Sequence, residues 1–89
     1  MPRLEKEIVI KNPQGLHARP AATFVQIVSK YDVVVTIQKG EERVNGKSIM
    51  GILTLGAQQH STVTIVADGE NPEKVMMELE ELLTRESMP

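Results

Sequence analysis

Between Leu4 and Lys11 apolar and charged side chains alternate loosely, with Ile8 and Ile10 on one face. This two-residue period predicts a β-strand, which Asn12-Pro13-Gln14-Gly15 brings to an end. The period then lengthens: Ala21, Ala22, Phe24, Val25 and Val28 recur at helical spacing. Pro20 suits a first helical turn, where a missing N–H goes unused, so the helix is expected to begin near Ala18 or Arg19. Val33 to Gln38 is rich in β-branched residues, Lys39-Gly40-Glu41 supplies a turn, and Arg43-Val44-Asn45 can return beside it as a hairpin. Ser48 stands where an N-cap belongs, ahead of Ile49, Met50, Ile52, Leu53 and Leu55, with Gly56 as terminator. The pattern there predicts a short helix, weakened in its middle by Gly51. Thr62 to Ala67 reads as a fourth strand closed by Asp68-Gly69. Asn71-Pro72 then pairs an N-cap with a proline at the first helical position, opening a helix that Val75, Met76, Leu79, Leu82 and Leu83 stripe on one side.

The order strand, helix, strand, strand, short helix, strand, helix implies an α+β domain: an antiparallel sheet covered on one face by helices, with the other face open to water. Strand order is not set by the pattern, and a ferredoxin-like sandwich is one of several arrangements that satisfy it. At 89 residues, 40% of them hydrophobic, the chain suffices for one domain spanning positions 1–89 and not for two. No apolar run approaches the ~20 residues that cross a bilayer, and the charged start from Met1 to Glu7 lacks the layout of a secretory signal. Neither membrane insertion nor export is expected. The chain has no cysteine, which suits a reducing cytoplasm. The tail from Arg85 to Pro89 is expected to fray. Ten basic residues against twelve acidic ones, net −2, with Phe24 and Tyr31 as the sole aromatics, leave neither a basic stripe nor a stacking platform for nucleic acid.

Chemistry concentrates on the two histidines. His60 lies in a polar turn and reads as a solvated loop residue. His17 falls between a glycine-containing loop and a helix start, where unpaired backbone N–H groups and the positive end of the helix dipole favour a phosphate. An imidazole nitrogen there can attack phosphorus and form a phosphoramidate. Arg19, two residues on, can offer a forked donor to phosphoryl oxygens, and Gly15 lets the loop bend and leaves the ring exposed. With no carboxylate cluster arranged around the histidines, neither a metal nor a cofactor is expected. Ser48 is an ordinary N-cap by position, yet a phosphate at that helix start would be stabilised by the same amides and would change whatever docks nearby. Ile49, Met50, Ile52, Leu53 and Leu55 cannot all face inward from so short a helix, so part of that surface is expected to be exposed and adaptable.

Gly15-Leu16-His17-Ala18-Arg19-Pro20-Ala21 and Asn45-Gly46-Lys47-Ser48-Ile49-Met50-Gly51 resemble the two motifs of the HPr family, the histidine-containing phosphocarriers of the phosphoenolpyruvate-dependent sugar phosphotransferase system. The resemblance extends over nearly the whole chain. It implies an open-faced β-sandwich, four antiparallel strands with three helices on one face, in the order βαββαβα. It further implies that His17 is phosphorylated at Nδ1 by enzyme I and dephosphorylated by IIA domains of sugar permeases, with Arg19 stabilising the phosphoryl group. Ser48 matches the serine modified by HPr kinase/phosphorylase. Ala18, Pro20, Ile49, Met50 and Leu53 match the surface on which these partners dock, and a transcriptional regulator is a further partner. Such a protein is a monomeric carrier rather than an enzyme. A nitrogen-related paralogue keeps the histidine motif in a regulatory relay, whereas a catabolite-repression paralogue keeps the serine motif without the histidine; a regulatory relay is the alternative for this chain. Lys39-Gly40-Glu41-Glu42 and Thr84 to Pro89 are less typical of the family.

Overall fold

A computed structural model of the chain describes residues 2–86. The elements follow the predicted order: β1 (Arg3–Val9), α1 (Ala18–Ser29), β2 (Val33–Lys39), β3 (Glu42–Asn45), α2 (Ile49–Thr54), β4 (Thr62–Gly69) and α3 (Pro72–Thr84). The strands form one antiparallel sheet in the order β1-β4-β2-β3. That order, which the pattern left open, places the two most alternating strands at the centre. Val63, Ile65 and Ala67 of β4 and Val33, Val35 and Ile37 of β2 are buried on the helix side. Their neighbours Thr64, Val66, Val34, Thr36 and Gln38 stand on the opposite face, where Val34 is 66% exposed. A period of two in a half-covered sheet produces this split.

Phe24 and Val28 of α1, Ile52 of α2 and Val75, Leu79, Leu82 and Leu83 of α3 close over the sheet, all fully buried. The stripe read for α3 is buried throughout, while in α1 Ala21, Phe24 and Val28 are buried and Ala22 and Val25 half-buried. Phe24, the only phenylalanine, is among the largest side chains enclosed. Lys30 pairs with Glu78 at 2.6 Å, and the Tyr31 hydroxyl also donates to Glu78, tying the end of α1 to α3. Half-exposed ion pairs of this kind contribute little to stability.

Several boundaries differ from the sequence-based expectation, each for an identifiable reason. β1 ends at Val9 rather than Lys11 because the next backbone groups leave the sheet: Ile10 donates to the Ser61 carbonyl, and Lys11 and Asn12 both donate to that of Leu83. β4 runs on to Gly69 because Arg3 and Val33 still face Asp68 and Gly69 across the ladders. Asn71 occupies the position before α3 but is left-handed, φ 52°, and its side chain makes no capping bond. A residue before proline ordinarily adopts the extended backbone that an N-cap also uses; Asn71 departs from it into the left-handed region, which asparagine tolerates. Arg85, the first residue of the tail expected to fray, closes α3 and pairs with Glu81 at 3.3 Å; residues 87–89 of that tail lie outside the described residues.

Candidate functional site

The histidine loop is built between two anchors. On one side the Asn12 carbonyl accepts from the Gly15 N–H at 3.1 Å, turning the chain at a left-handed Gly15, φ 59°. On the other, the Leu16 N–H donates to the Ala57 carbonyl at 2.9 Å, and the Leu16 side chain plugs into the core at 2% exposure. His17 follows in extended conformation, φ −74° and ψ −177°. Successive side chains of an extended backbone point in opposite directions, so burying Leu16 sends the imidazole outward, and His17 is exposed.

His17 is the N-cap residue of α1, yet its side chain makes no capping hydrogen bond, which leaves both ring nitrogens free for chemistry. Its carbonyl accepts from Ala21, while the N–H groups of Ala18 and Arg19 donate to no backbone carbonyl among the described residues. Orphan donors at a helix start are what an anion needs. No acidic residue occupies the first turn of α1. Arg19 is exposed, and the ion pairs among the described residues, made by Arg3, Lys6, Lys30 and Arg85, do not engage it. Its guanidinium is thus unclaimed one helical position from Ala18. Ala18 is also exposed, whereas Pro20 is buried and does not contribute to the outer surface.

Ser48 caps α2, its Oγ accepting from the Gly51 N–H at 3.0 Å. Gly56, left-handed at φ 59°, ends the helix as expected, donating to the Leu53 carbonyl. Gly51 weakens the helix in isolation but relieves crowding: a Cβ there would lie 3.0 Å from the Ser48 Oγ and 3.1 Å from the Val44 Cβ, so those side chains would have to give by a few tenths of an ångström. The apolar residues of α2 divide as their number demanded. Ile52 and Leu55 are core, Leu53 is half-buried against it, and Ile49 and Met50 are 40% and 71% exposed. Since α1 packs on α2, this apolar surface belongs to the same helical layer as His17. Removing the cap by Ser48→Ala is expected to cost about 1 kcal/mol and to lower the thermal midpoint by about 4–8 °C, read by circular dichroism; an unchanged midpoint would refute the capping role.

Among the described residues His60 makes no hydrogen bond to His17, Arg19 or Ser48. It is exposed, left-handed at φ 77°, and donates its N–H to the Ile10 carbonyl. Among the described residues no three His, Cys, Asp or Glu side chains are grouped to hold a metal ion, and no helix is long and apolar enough to cross a membrane. Two features under the loop escaped the sequence reading. Asn12, read there as a strand terminator, is fully buried and its Nδ2 donates to the Gly15 carbonyl at 2.8 Å. Gly15 itself approaches the chain at Ala57 and Gln58 so closely that a Cβ would lie 2.5 Å from the Ala57 carbonyl oxygen. The only local signal for either was the Asn-Pro-Gln-Gly spacing.

A family model described as the PTS HPr component phosphorylation site matches residues 4–85. A phosphocarrier protein HPr of Xylella fastidiosa (strain 9a5c) is 40% identical over 79 residues, 89% of this chain and 89% of its own length. An HPr-like protein Crh of Halalkalibacterium halodurans is 36% identical over 83 residues, 93% of this chain and 99% of its own. The crystal structure of a phosphocarrier protein HPr from Bacillus anthracis superposes with a TM-score of 0.88 at 34% identity, covering 93% of this chain and 99% of that one.

Proposed function

Because the chain belongs to the HPr family of phosphotransferase-system phosphocarriers, we propose that His17 accepts a phosphoryl group from enzyme I, ultimately from phosphoenolpyruvate, and passes it to IIA domains of sugar permeases. The observation that carries this reading is the exposed imidazole at the start of α1, beside the undirected N–H groups of Ala18 and Arg19 and an unpaired Arg19 guanidinium. A ring nitrogen attacks phosphorus in line with the departing oxygen or nitrogen of the donor, and the resulting P–N bond is broken by the next acceptor in the same way. The helix amides and Arg19 hold the equatorial oxygens during each exchange. Partners supply the remaining transition-state groups, so the protein carries phosphate without turnover of its own. It acts as a monomer in the cytoplasm, and its Ala18, Ile49, Met50 and Leu53 surface admits the partner, with Pro20 supporting that surface from below.

Similarity to an HPr-like protein Crh and the capped, half-buried Ser48 favour a second role on the same chain. HPr kinase/phosphorylase would transfer phosphate to the Ser48 Oγ and thereby change docking on the adjacent apolar surface, signalling to a transcriptional regulator. In a host without complete sugar permeases, that role or a nitrogen-type relay would be the main one. Phosphoenolpyruvate with enzyme I should give one acid-labile phosphoryl group on the wild-type protein, and absence of labelling would overturn the carrier reading. ATP with the kinase should give an acid-stable adduct that Ser48→Ala lacks; stable labelling of that variant would place the modification elsewhere.

A further inference from the structure

Asn12 is the one polar side chain enclosed among the buried residues described, with 0% of its surface exposed. Burying a carboxamide is unfavourable unless its groups are bonded, and here half of it is not. Nδ2 donates to the Gly15 carbonyl at 2.8 Å, while Oδ1 is buried without a partner. This is the reverse of an ordinary asparagine turn, in which the side-chain oxygen accepts from a backbone N–H two residues on. An asparagine kept only for turn formation would use the oxygen. This one uses the nitrogen, and leaves the oxygen orphaned to do so.

What the nitrogen holds is the carbonyl two residues before His17. Together with the Gly15 N–H donated to the Asn12 carbonyl, it makes a two-bond clasp across positions 12 and 15. The clasp is itself fixed to the core, since the Asn12 N–H donates to the Leu83 carbonyl at 3.1 Å in the last turn of α3. Beyond the clasp, the Leu16 N–H on the Ala57 carbonyl is the remaining backbone bond before the helix. The direction of the peptide between Gly15 and Leu16, and through it the placement of His17, therefore depends on whether the Gly15 carbonyl is held.

We propose that Asn12 is a positioning residue for phosphoryl transfer at His17, its buried Nδ2 clamping the Gly15 carbonyl so that the imidazole meets phosphorus in line. The inference rests on the reading of His17 as the phosphoryl acceptor. Asn12 touches neither the ring nor the phosphate; it acts through the backbone, and small misplacements of a reacting group are costly.

Two replacements separate position from packing. Asn12→Leu fills the same space without the donor or the orphaned oxygen, and Asn12→Ala removes both donor and bulk. With the protein as the varied substrate of enzyme I, kcat should fall about 10- to 100-fold in both variants, while KM, which reads docking on the helices, stays within about threefold. Wild-type kcat in either folded variant, a loss confined to KM, or a kcat loss no larger than the unfolded fraction would each overturn the proposal. A measurement on the unaltered protein does not depend on how the variants fold. The Asn12 side-chain amide signals in a ¹⁵N spectrum should exchange slowly with solvent and shift when His17 is phosphorylated; fast exchange or no shift would also overturn it. Failure of the wild type to label would remove the carrier reading and this inference together, whereas labelling with Asn12 variants at full rate removes this inference alone.

Discussion

His17→Ala is expected to abolish the acid-labile phosphoryl group that phosphoenolpyruvate and enzyme I should place on the wild-type protein, with no measurable residual labelling. The loss should be complete if the imidazole is the nucleophile, as proposed, because the always-protonated guanidinium of Arg19 beside it is no nucleophile. Stability should barely change. The ring is exposed and makes no capping bond, so its removal falls among surface substitutions that shift stability by about 0.5 kcal/mol or less. His60→Ala provides the comparison: it removes the only other histidine and should leave labelling intact. Labelling that survives in His17→Ala but not in His60→Ala would reverse the assignment. Arg19→Ala should slow transfer without eliminating it, since the Ala18 and Arg19 backbone amides remain.

Gly15→Ala should be the most damaging single methyl group that can be added near the site. Two penalties combine. A left-handed backbone at φ 59° disfavours any L side chain by about 1–2 kcal/mol. The new Cβ would also lie 2.5 Å from the Ala57 carbonyl oxygen and 2.9 Å from the Gln58 Cα, backbone atoms that cannot swing aside, and overpacking of that kind costs about 1–3 kcal/mol. Gly56 has the same φ of 59° with nothing within 4 Å of a Cβ, so Gly56→Ala carries the first penalty alone. The difference between their denaturant midpoints at equal m-value therefore isolates the steric part. Equal destabilisation of the two variants would show that the loop yields freely. Transfer at His17 should fall with Gly15→Ala beyond what its stability explains, because the Ala57 carbonyl that must move is the one holding Leu16.

Local chemistry made much of this molecule readable in advance. The Ser48 cap, the Gly56 terminator and the exposed His17 at a helix start each depend on a few consecutive residues, and each stands where the sequence placed it. The faces of β4 are less plain in the sequence: Val63, Ile65 and Ala67 are buried, but the residues between them include Val66 as well as Thr64, so polarity alone marks the open face only in part. Strand order was not readable, because nothing local in β4 records that β1 and β2 will be its neighbours. Asn12 was misread as a mere strand terminator because what distinguishes it is contact with Leu83, far along the chain, and its side chain's use as a donor. Pro20 looked like part of the docking surface from its motif, and it is buried. At Asn71, the capping residue type was correct and the capping bond absent, the backbone there being left-handed rather than extended.

The proline in the first turn of α1 has one more effect. Position 20 faces the same end of the helix as Ala18 and Arg19 and would ordinarily add a third amide there, but proline has no N–H to give. A charge-assisted hydrogen bond is worth about 1.5–3 kcal/mol, and each 1.4 kcal/mol is about a tenfold change in an equilibrium constant. A fuller cradle would therefore deepen the resting well of a charged intermediate and tilt its balance against departure. On the proposed carrier reading, a cradle without that amide would hold the loaded state less deeply, and a phosphoryl group placed on His17 would leave it more readily.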